Sequence, residues 1–581
     1  LATAVLPAAP AAGAGTPSAG SATPQVLRVG AWNGIPGNVA TLDRAVAKLR
    51  PGGWLLVGPG DWHPQMDHRA AQRGSRYPSA MLVTTPGVHV RGMDRNRVII
   101  DGTKPTAATP CSAAPADQDL GQVVNGTPQG RNGPEAQLTS GVWFENFTTC
   151  NFLTGSADSG NQVWWNGGDD TGRIGMGSWW GGYLSTTSTF FDPAKPGDAA
   201  QYGLFVSNAR GPGQMDQTYA SNMNDSSYYI GACPDCNGII DHGHAENSAL
   251  GLSSTNAGGH LLIENTEWDN NKTGMVSNSQ NSADPPTPQD GACPGGAPGP
   301  LGTGSCTIWK DNYVHDNNNP NVPYQGTAGL GPVGTGMVFA GSRYSTMIGN
   351  RVEHNGSWGV LVTIFPDTSP ENPHNVSNCH GGAPDQPVPG LGGQAVPCLF
   401  DAFGNQVRSN RFSGNGFFAN PTNGDLADLT YGPPPEDPTA SGNCYPGNTD
   451  PAGLTTTPSE PLFSALQGSC QRPAAFPNQY APAQFALLGG EVACASAAFG
   501  PCPTGLPAAS YPQTTTVHMA PLPAQPTMPD PCAGVPANPW CPAATGSPTG
   551  PSGRTGPGQH RHGQNGPLSS PSVSVSRRFS A

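Results

Sequence analysis

The chain has 581 residues, a net charge of −13 and only 11% charged residues. It has no apolar run long enough to cross a bilayer and no basic surplus, which argues against a membrane span and against nucleic-acid binding. Glycine (80) and proline (64) make up about a quarter of the chain, and Trp, Phe and Tyr recur among β-branched residues, so the composition indicates a large, turn-rich all-β protein.

The N-terminal segment, 1–24, is rich in Ala, Gly, Pro and Ser and begins with the apolar stretch Leu1–Ala14. An apolar stretch followed by small residues is typical of the end of a secretory signal peptide. We therefore interpret 1–24 as a signal-peptide remnant and linker, and we predict a secreted, extracellular protein.

Short elements follow the linker. Val26–Ala31 is predicted to be a strand, and Asn38 is predicted to cap an amphipathic helix, Asn38–Leu49, which ends at Pro51-Gly52-Gly53. Four further strands, each bounded by Gly, Pro or Asp, are predicted at Trp54–Val57, Met81–Thr84, Val88–Arg91 and Val98–Ile100.

A repeat begins near Tyr202. Six segments align on Asn or Asp anchors, at Asp225, Asn247, Asn270, Asn317, Asn355 and Asn415. The first three anchors are almost evenly spaced, and the longer intervals that follow contain Pro/Gly-rich insertions at 282–305, 319–333 and 367–397. A period of about 23 residues with Asn at a fixed position is typical of a solenoid.

Two columns of this alignment predict how the coils pack. The column eight positions before the anchor is apolar and is expected to face inward; it holds Ile239, Leu262, Trp309, Met347 and Val407. The column five positions before the anchor is expected to form a stacked amide ladder; it holds His242, Asn265, Asn312, Asn350 and Asn410. His242 and His244 are therefore expected to point inward as hydrogen-bonded core residues.

The repeat Asn350-Arg-Val-Glu-His-Asn355 resembles the right-handed parallel β-helix repeats of the pectin-lyase-like superfamily, and the opening helix with Trp54–Trp62 resembles their N-terminal cap. The chain also resembles a group of secreted actinobacterial β-helix proteins without an assigned activity. The resemblance covers about Val26–Leu429. It implies an all-β fold, a single-stranded right-handed parallel β-helix at 25–430 with a capping helix, but no single chemistry, because the superfamily includes lyases, hydrolases, epimerases and non-enzymes.

The period is lost after position 430. The segment 431–541 is Pro- and Cys-rich and is predicted to form a C-terminal cap or appendage, and 542–581 is predicted to be disordered. Neighbouring cysteines that flank Pro/Gly-rich loops predict disulfides that staple these insertions, at Cys293–Cys306 and Cys379–Cys398.

An acidic column predicts a site on the outside of the solenoid. Asp241, Glu264 and Asp311 are expected on successive coils, about 4.8 Å apart. Stacked carboxylates at this spacing repel, so they need a cation, a basic neighbour or a proton. They are candidates for a Ca²⁺ site or for a catalytic pair, and the alternative is that they are solvated acids neutralised by Lys310.

A second acidic column holds Glu246, Asp269 and Asp316, followed by His354. Calcium-dependent pectate lyases, which this chain resembles in fold only, use an Arg or Lys base. Under that resemblance Lys310 and Arg351 are the candidate bases.

Aromatic residues concentrate just before the repeat. The predicted substrate-binding residues, which would stack on sugar rings, are Trp164, Trp165, Trp179, Trp180 and Tyr183. The alternative is that these rings only cover the core.

These features leave three functions open: an extracellular polysaccharide lyase or glycoside hydrolase, a non-catalytic carbohydrate-binding protein, and a structural surface protein. The negative net charge disfavours unaided binding of polyuronates, so an enzyme would use Ca²⁺ or act on a neutral glycan. The expected partner is a polysaccharide, and the expected oligomeric state is a monomer.

Overall fold

The computed structural model describes residues 24–67, 78–155, 159–169, 171–281, 288–367, 379, 381–387, 395–430, 441–451, 470, 482–496, 502 and 510–543. The predicted signal-peptide remnant, apart from position 24, and the predicted disordered tail, apart from 542–543, lie outside these ranges.

Three parallel sheets form the body of the protein. Each coil contributes one short strand to sheet 1, then one to sheet 2 and one to sheet 3, and pairs in register with the coils before and after it. The chain is therefore a right-handed parallel β-helix, as the resemblance implied.

The strands of sheet 1 are Val26–Val29, Trp54–Val57, His89–Gly92, Val142–Glu145, Trp179–Gly182, Gly213–Asp216, Gly238–Asp241, Leu261–Glu264, Thr307–Lys310, Thr346–Ile348 and Gln406–Arg408. Those of sheet 2 are Gly60–Trp62, Val98–Asp101, Thr148–Cys150, Ser185–Thr187, Tyr219–Ser221, His244–Glu246, Glu267–Asp269, Tyr313–His315, Arg351–Glu353 and Arg411–Ser413. Those of sheet 3 are Ser79–Val83, Asn132–Gln137, Val163–Asn166, Tyr202–Ser207, Ser226–Gly231, Leu250–Thr255, Thr273–Asn278, Thr335–Ala340, Trp358–Thr363 and Gly424–Leu429.

In the part of the chain that the structure describes, antiparallel strand pairs occur only in additions to this body. Ala31–Trp32 pairs with Ile35–Pro36, and Val123–Val124 pairs with Thr127–Pro128. A three-stranded sheet is built from Phe365–Asp367, Ala383–Pro387 and Ala395–Phe400. Short 3₁₀ helices occur at Pro115–Asp117, Pro196–Asp198, Pro294–Gly296 and Ala328–Leu330.

The core is a stack of apolar side chains inside the coils. In sheet 1, fully buried side chains lie above one another at Ile240, Ile263, Trp309, Met347 and Val407. The predicted inward column was right for the last three coils. It was wrong for Ile239 and Leu262, which lie one position earlier and are half-buried on the outer face.

A ladder of buried asparagines follows each strand of sheet 1 in the later coils. Asn350 Oδ1 accepts hydrogen bonds from the backbone N and from Nδ2 of Asn312, both at 3.0 Å. Asn350 in turn donates to Asn410 Oδ1 (3.0 and 2.9 Å), and Asn410 donates to Asn448. These bonds join successive corners of the β-helix, so they hold neighbouring coils in one register.

A second ladder follows sheet 2, through Asn271, Asn317, Asn355 and Asn415. The predicted anchors Asn247 and Asn270 stand one position earlier, in the left-handed region with φ of 56° and 53°.

The same offset by one position affects the first predicted ladder. His242 and Asn265 have a φ of 49° and are exposed, whereas Asn312 and Asn350 are buried ladder members as predicted. A left-handed corner residue favours Asn just as the ladder does, so two Asn-rich columns lie side by side. The prediction of His242 as an inward core residue was wrong.

The N-terminal cap is a short helix, α1, at Leu42–Val46. Its N-cap is Thr41, whose hydroxyl accepts a hydrogen bond from the backbone N of Arg44 (3.3 Å). The predicted cap, Asn38, instead accepts from the backbone N of Arg28 (2.7 Å), which ties the first strand to the segment before the helix.

The described C-terminal segments pack on the β-helix. Helix α2, Pro482–Ser496, lies against the last strand of sheet 3. The segment 510–541, which we call the strap, extends along the outside from Asn420, which donates to Ser510 O (3.2 Å), to Ile35, whose carbonyl accepts from Trp540 Nε1 (2.9 Å). None of the helices in the described ranges is long and apolar enough to cross a membrane.

All fourteen cysteines form disulfides. The predicted bonds Cys293–Cys306 and Cys379–Cys398 are present. The other five are Cys111–Cys150, Cys233–Cys236, Cys444–Cys470, Cys494–Cys502 and Cys532–Cys541. Disulfides on this scale are compatible with an extracellular protein.

We expect Asn350→Ala to lower the free energy of unfolding by about 3 kcal/mol, because it leaves buried donors and acceptors of two neighbouring coils unpaired. The midpoint of guanidinium unfolding, followed by tryptophan fluorescence, measures this. The matched control is Asn265→Gly, which keeps the left-handed corner outside the ladder and should change the free energy by less than about 1 kcal/mol. Equal losses in both variants would contradict the ladder's role.

Candidate functional site

The outer face of sheet 1 carries two columns of side chains, because alternate residues of each strand point outward. The first column runs Trp54, His89, Trp143, Trp180, Gln214, Ile239, Leu262 and Ile308. The second runs Arg91, Glu145, Gly182, Asp216, Asp241, Glu264 and Lys310. The first column is therefore aromatic at one end and aliphatic at the other, and the second column carries charged groups beside both ends.

Two aspartates on adjacent coils form a carboxylate pair in the second column. Asp216 and Asp241 pair directly across their strands, and one oxygen of each lies within 4.8 Å of the other and of a His242 ring nitrogen. His242 Nδ1 is 2.9 Å from Asp241 Oδ1 and 3.6 Å from Asp216 Oδ1. Asp241 Oδ1 also accepts a hydrogen bond from Asn265 Nδ2 (3.0 Å).

The two aspartates differ in their surroundings. Burial and the neighbouring charge of Asp241 raise the pKa of Asp216 above its ordinary value. Asp241, held by His242 and Asn265, faces two groups that stabilise a carboxylate. The raised pKa favours the protonated form of Asp216, which is the form that a general acid needs.

The predicted metal set, Asp241, Glu264 and Asp311, is not one column. Lys310, not Asp311, pairs with Glu264, and its Nζ lies 2.7 Å from Glu264 Oε2 and 3.6 Å from Asp311 Oδ2. Asp311 occupies the left-handed corner position that follows (φ 54°). The predicted position of Asp311 was wrong by one residue, which is the same error as in the ladder columns. Lys310 neutralises Glu264, as the alternative interpretation of this column expected.

The aromatic end of the face is a stack of rings. Centroid distances are 3.9 Å from Trp54 to His89, 5.0 Å from His89 to Trp143 and 4.4 Å from Trp143 to Trp180, with nearly parallel planes. Trp54 is buried in a cluster with Trp540 of the strap. Stacked rings cover each other's faces, so the half-buried His89, Trp143 and Trp180 present only their edges. Trp180 ends the stack on the side of Asp216, one coil away.

Gly182 leaves an opening beside the Trp180 ring. A Cβ placed on Gly182 would meet no atom within 4 Å, so the second column has a gap between Glu145 and Asp216. Tyr183 follows Gly182 at the left-handed corner (φ 52°) and is half-buried there. The opening is thus bordered by an aromatic ring and a carboxyl group.

The other predicted aromatic residues lie elsewhere. Trp165 and Trp179 are fully buried in the core, because adjacent residues of a strand point to opposite faces. Trp164 lies on the outside of sheet 3, where its ring stacks on Phe205 with a centroid distance of 4.9 Å. Of the five predicted sugar-stacking residues, these three therefore do not lie on the outer face of sheet 1 with the acids.

The candidate base Arg351 is on sheet 2. It is ion-paired to Glu353 (2.6 Å) and its guanidinium lies over the Tyr313 ring at 4.3 Å. The hydrogen bond to Glu353 raises the pKa of Arg351. Arg351 is thus not brought together with Asp241 and Glu264 on sheet 1.

Asp216, Trp143 and His242 belong to the arrangement on sheet 1 but were missed or misplaced by sequence analysis. Asp216 was missed because the first anchor, Asp225, does not stand at the corner position, whereas Asn222 does. Trp143 lies two coils earlier still, before the aligned segments. The signal that could have found Asp216 is its spacing from Asp241, which is close to the length of one coil.

No family model matches the chain, and no curated protein matches it. The chain is similar in structure to the A-module of the Azotobacter vinelandii mannuronan C-5 epimerase AlgE4, with a TM-score of 0.39 and 9% identity over 75% of this chain and 91% of that chain. It is also similar to a tailspike protein mutant of E. coli bacteriophage HK620 in complex with a pentasaccharide (TM-score 0.35, 10% identity, 73% of this chain) and spans 58% of that chain.

Proposed function

We propose that the protein is an extracellular glycoside hydrolase that binds a neutral polysaccharide along the outer face of sheet 1. One observation carries this proposal: the Asp216–Asp241 carboxylate pair lies on the coils directly after Trp180 and the opening at Gly182. Coils repeat about every 4.8 Å, which is close to the rise of one sugar unit in an extended glycan. A sugar over Gly182 would contact the edge of the Trp180 ring and place its glycosidic bond beside Asp216.

The pair supports a two-step hydrolysis with retention, for which the two carboxyl groups stand about 5 Å apart. Asp216 donates its proton to the glycosidic oxygen as the C1–O bond breaks, and Asp241 attacks C1 to form a glycosyl ester. Asp216, now ionised, takes a proton from water, whose oxygen attacks C1 and releases Asp241. His242 and Asn265 hold the attacking carboxylate.

The two candidate bases, Lys310 and Arg351, support a lyase less well. Its base must be unprotonated near working pH. The hydrogen bond to Glu264 raises the pKa of Lys310, and Arg351 is held charged by Glu353. Both candidate bases are therefore poor proton acceptors, whereas hydrolysis uses the carboxylates that are present.

The proposed reaction needs no metal. Lys310 already neutralises Glu264, so we assign no Ca²⁺ to the predicted set of Asp241, Glu264 and Asp311. The net charge of −13 favours a neutral glycan over a polyuronate. Secretion fits the disulfides and the apolar N-terminal stretch.

Binding without cleavage is the second candidate function. The half-buried rings of Trp143 and Trp180 favour it, because rigid aromatic side chains can hold a glycan without any carboxylate chemistry. Hydrolysis requires Asp216 and Asp241, whereas binding without cleavage does not.

We expect Trp180→Ala to weaken binding of the preferred glycan by about tenfold, since it removes the ring that ends the stack beside Gly182. Affinity electrophoresis against xylan, mannan, mixed-linkage β-glucan, dextran and polygalacturonate measures this. Trp164→Ala, which removes an outer ring of sheet 3, is the matched control and should retain binding. A loss confined to Trp164→Ala would place the glycan on sheet 3 and contradict the proposal.

We expect Asp216→Asn and Asp241→Asn each to lower the rate of reducing-end release at least about a hundredfold, with glycan binding retained. Reducing-end assays on the polysaccharide panel measure turnover, and absorbance of unsaturated products detects a lyase. Glu264→Gln is the control and should keep most activity. Binding by wild-type protein without any product would favour the non-catalytic function.

The rate should fall as pH rises through the pKa of Asp216, because Asp216 has to carry the proton that it donates. Its pKa is raised by burial and by Asp241, so the protonated form persists to higher pH than in an ordinary aspartic acid. We expect greatest activity on the acidic side of neutrality. A rate that increases steadily from acidic to alkaline pH would contradict Asp216 as the acid.

A further inference from the structure

The outer face of sheet 2 carries a separate cluster of imidazole and carboxylate groups. In its middle coils, His244 and Glu246 pair with Glu267 and Asp269, which pair with Tyr313 and His315 on the next coil. His244 was predicted to point inward but lies on this outer face and is half-buried. The offset of the early coils by one position accounts for the error.

Three of these side chains converge. His244 Nε2 lies 2.6 Å from Asp269 Oδ1, and one ligand atom each of His244, Glu267 and Asp269 lies within 4.8 Å of the other two. His244 and Asp269 lie on adjacent strands. Glu267 pairs directly with His244 and lies two residues before Asp269 on the same strand, so the contact between His244 and Asp269 is diagonal. The three groups thus surround a point above the sheet.

Neighbouring side chains hold the converging groups in place. Asn270 Nδ2 donates to the second oxygen of Asp269 (2.6 Å), and His315 Nε2 lies 3.1 Å from Glu267 Oε1. His315 is itself oriented by Asp316, whose Oδ2 is 2.8 Å from Nδ1. Secondary hydrogen bonds to ligating carboxylates are typical of metal sites, where they fix the ligands before the ion binds.

Tyrosine rings flank the cluster on the neighbouring coils of the β-helix. The Tyr219 ring meets the His244 ring edge to face, at a centroid distance of 5.4 Å and an angle of 79°. The Tyr313 ring stacks on His315 at 3.9 Å. Each imidazole therefore packs against a tyrosine ring.

We propose that His244, Glu267 and Asp269 bind a divalent transition-metal ion of the zinc class, with His315 as a positioning residue for Glu267. An imidazole with two carboxylates suits Zn²⁺, Co²⁺ or Mn²⁺ better than Ca²⁺, which prefers oxygen ligands alone. Three protein ligands leave at least one coordination position open for water or a ligand hydroxyl.

The required movement is small. Tetrahedral zinc at about 2.0–2.1 Å from its ligands separates them by about 3.3 Å. His244 Nε2 and Asp269 Oδ1, now 2.6 Å apart, would have to separate by less than about 1 Å to reach that geometry. This site lies on a different sheet from Asp216 and Asp241, so it does not depend on the proposed hydrolase activity.

The test is a titration of the full chain, freed of metal by chelation, with Co²⁺, whose visible absorption reports nitrogen and oxygen ligands, and with Zn²⁺ by calorimetry. The variants are His244→Gln and Glu267→Gln, which preserve side-chain size; circular dichroism checks that they fold. The matched control is His242→Gln, because His242 forms a similar group with Asp216 and Asp241 on sheet 1.

We expect one Co²⁺ per chain, an affinity at least about tenfold lower in both His244→Gln and Glu267→Gln, and no change in His242→Gln. Absence of saturable binding by the wild-type chain would overturn the proposal. So would binding that His242→Gln abolishes, or binding that both His244→Gln and Glu267→Gln leave intact.

Discussion

The in-register stacking of coils is the constraint on which the rest of the structure depends. Each ladder asparagine bonds the backbone and the side chain of its equivalent in the neighbouring coil, so Asn312, Asn350 and Asn410 lie above one another. A shift by one position would turn every outward side chain of a strand to the core. In the later coils the ladders therefore decide which side chains become neighbours at the surface, and in the coils of Trp180, Asp216 and Asp241 the direct strand pairing does so.

The candidate sites are consequences of that register. Asp216 and Asp241 are distant in sequence by about one coil, yet they lie side by side because their strands pair directly. The same pairing sets Trp180 one coil before Asp216 and Gly182 in the column of the acids. On sheet 2, register brings Glu267 and Asp269 between His244 and His315. A solenoid thus builds surface chemistry from residues that share no local motif.

The fold was predictable because its signals are periodic. The regular repeat of the coils, the buried Asn312, Asn350 and Asn410, and the stapled insertions at Cys293–Cys306 and Cys379–Cys398 are confirmed. The face of the β-helix on which each acidic residue lies was less predictable, because Asn occurs both in the ladder and at the left-handed corner before it. Aligning Asn270 instead of Asn271 as the anchor was enough to put Asp311 where Lys310 belongs.

The strap and the stack of rings were not predictable from local pattern at all. The strap, 510–541, has no periodicity, and its contacts with Asn222 and Asn146 join residues some 300 and 380 positions apart. Trp54, His89, Trp143 and Trp180 become one stack only once the early coils, which differ in length, are set in register. Long-range pairing carries information that a single-coil alignment does not contain.

A crystal structure of the Asp241→Asn variant with an oligosaccharide of the polysaccharide that the protein retains most strongly tests the account most directly. We expect a sugar ring over Gly182 against Trp180, with the next glycosidic oxygen within hydrogen-bonding distance of Asp216. An oligosaccharide bound on sheet 2 or sheet 3, away from both aspartates, would contradict it.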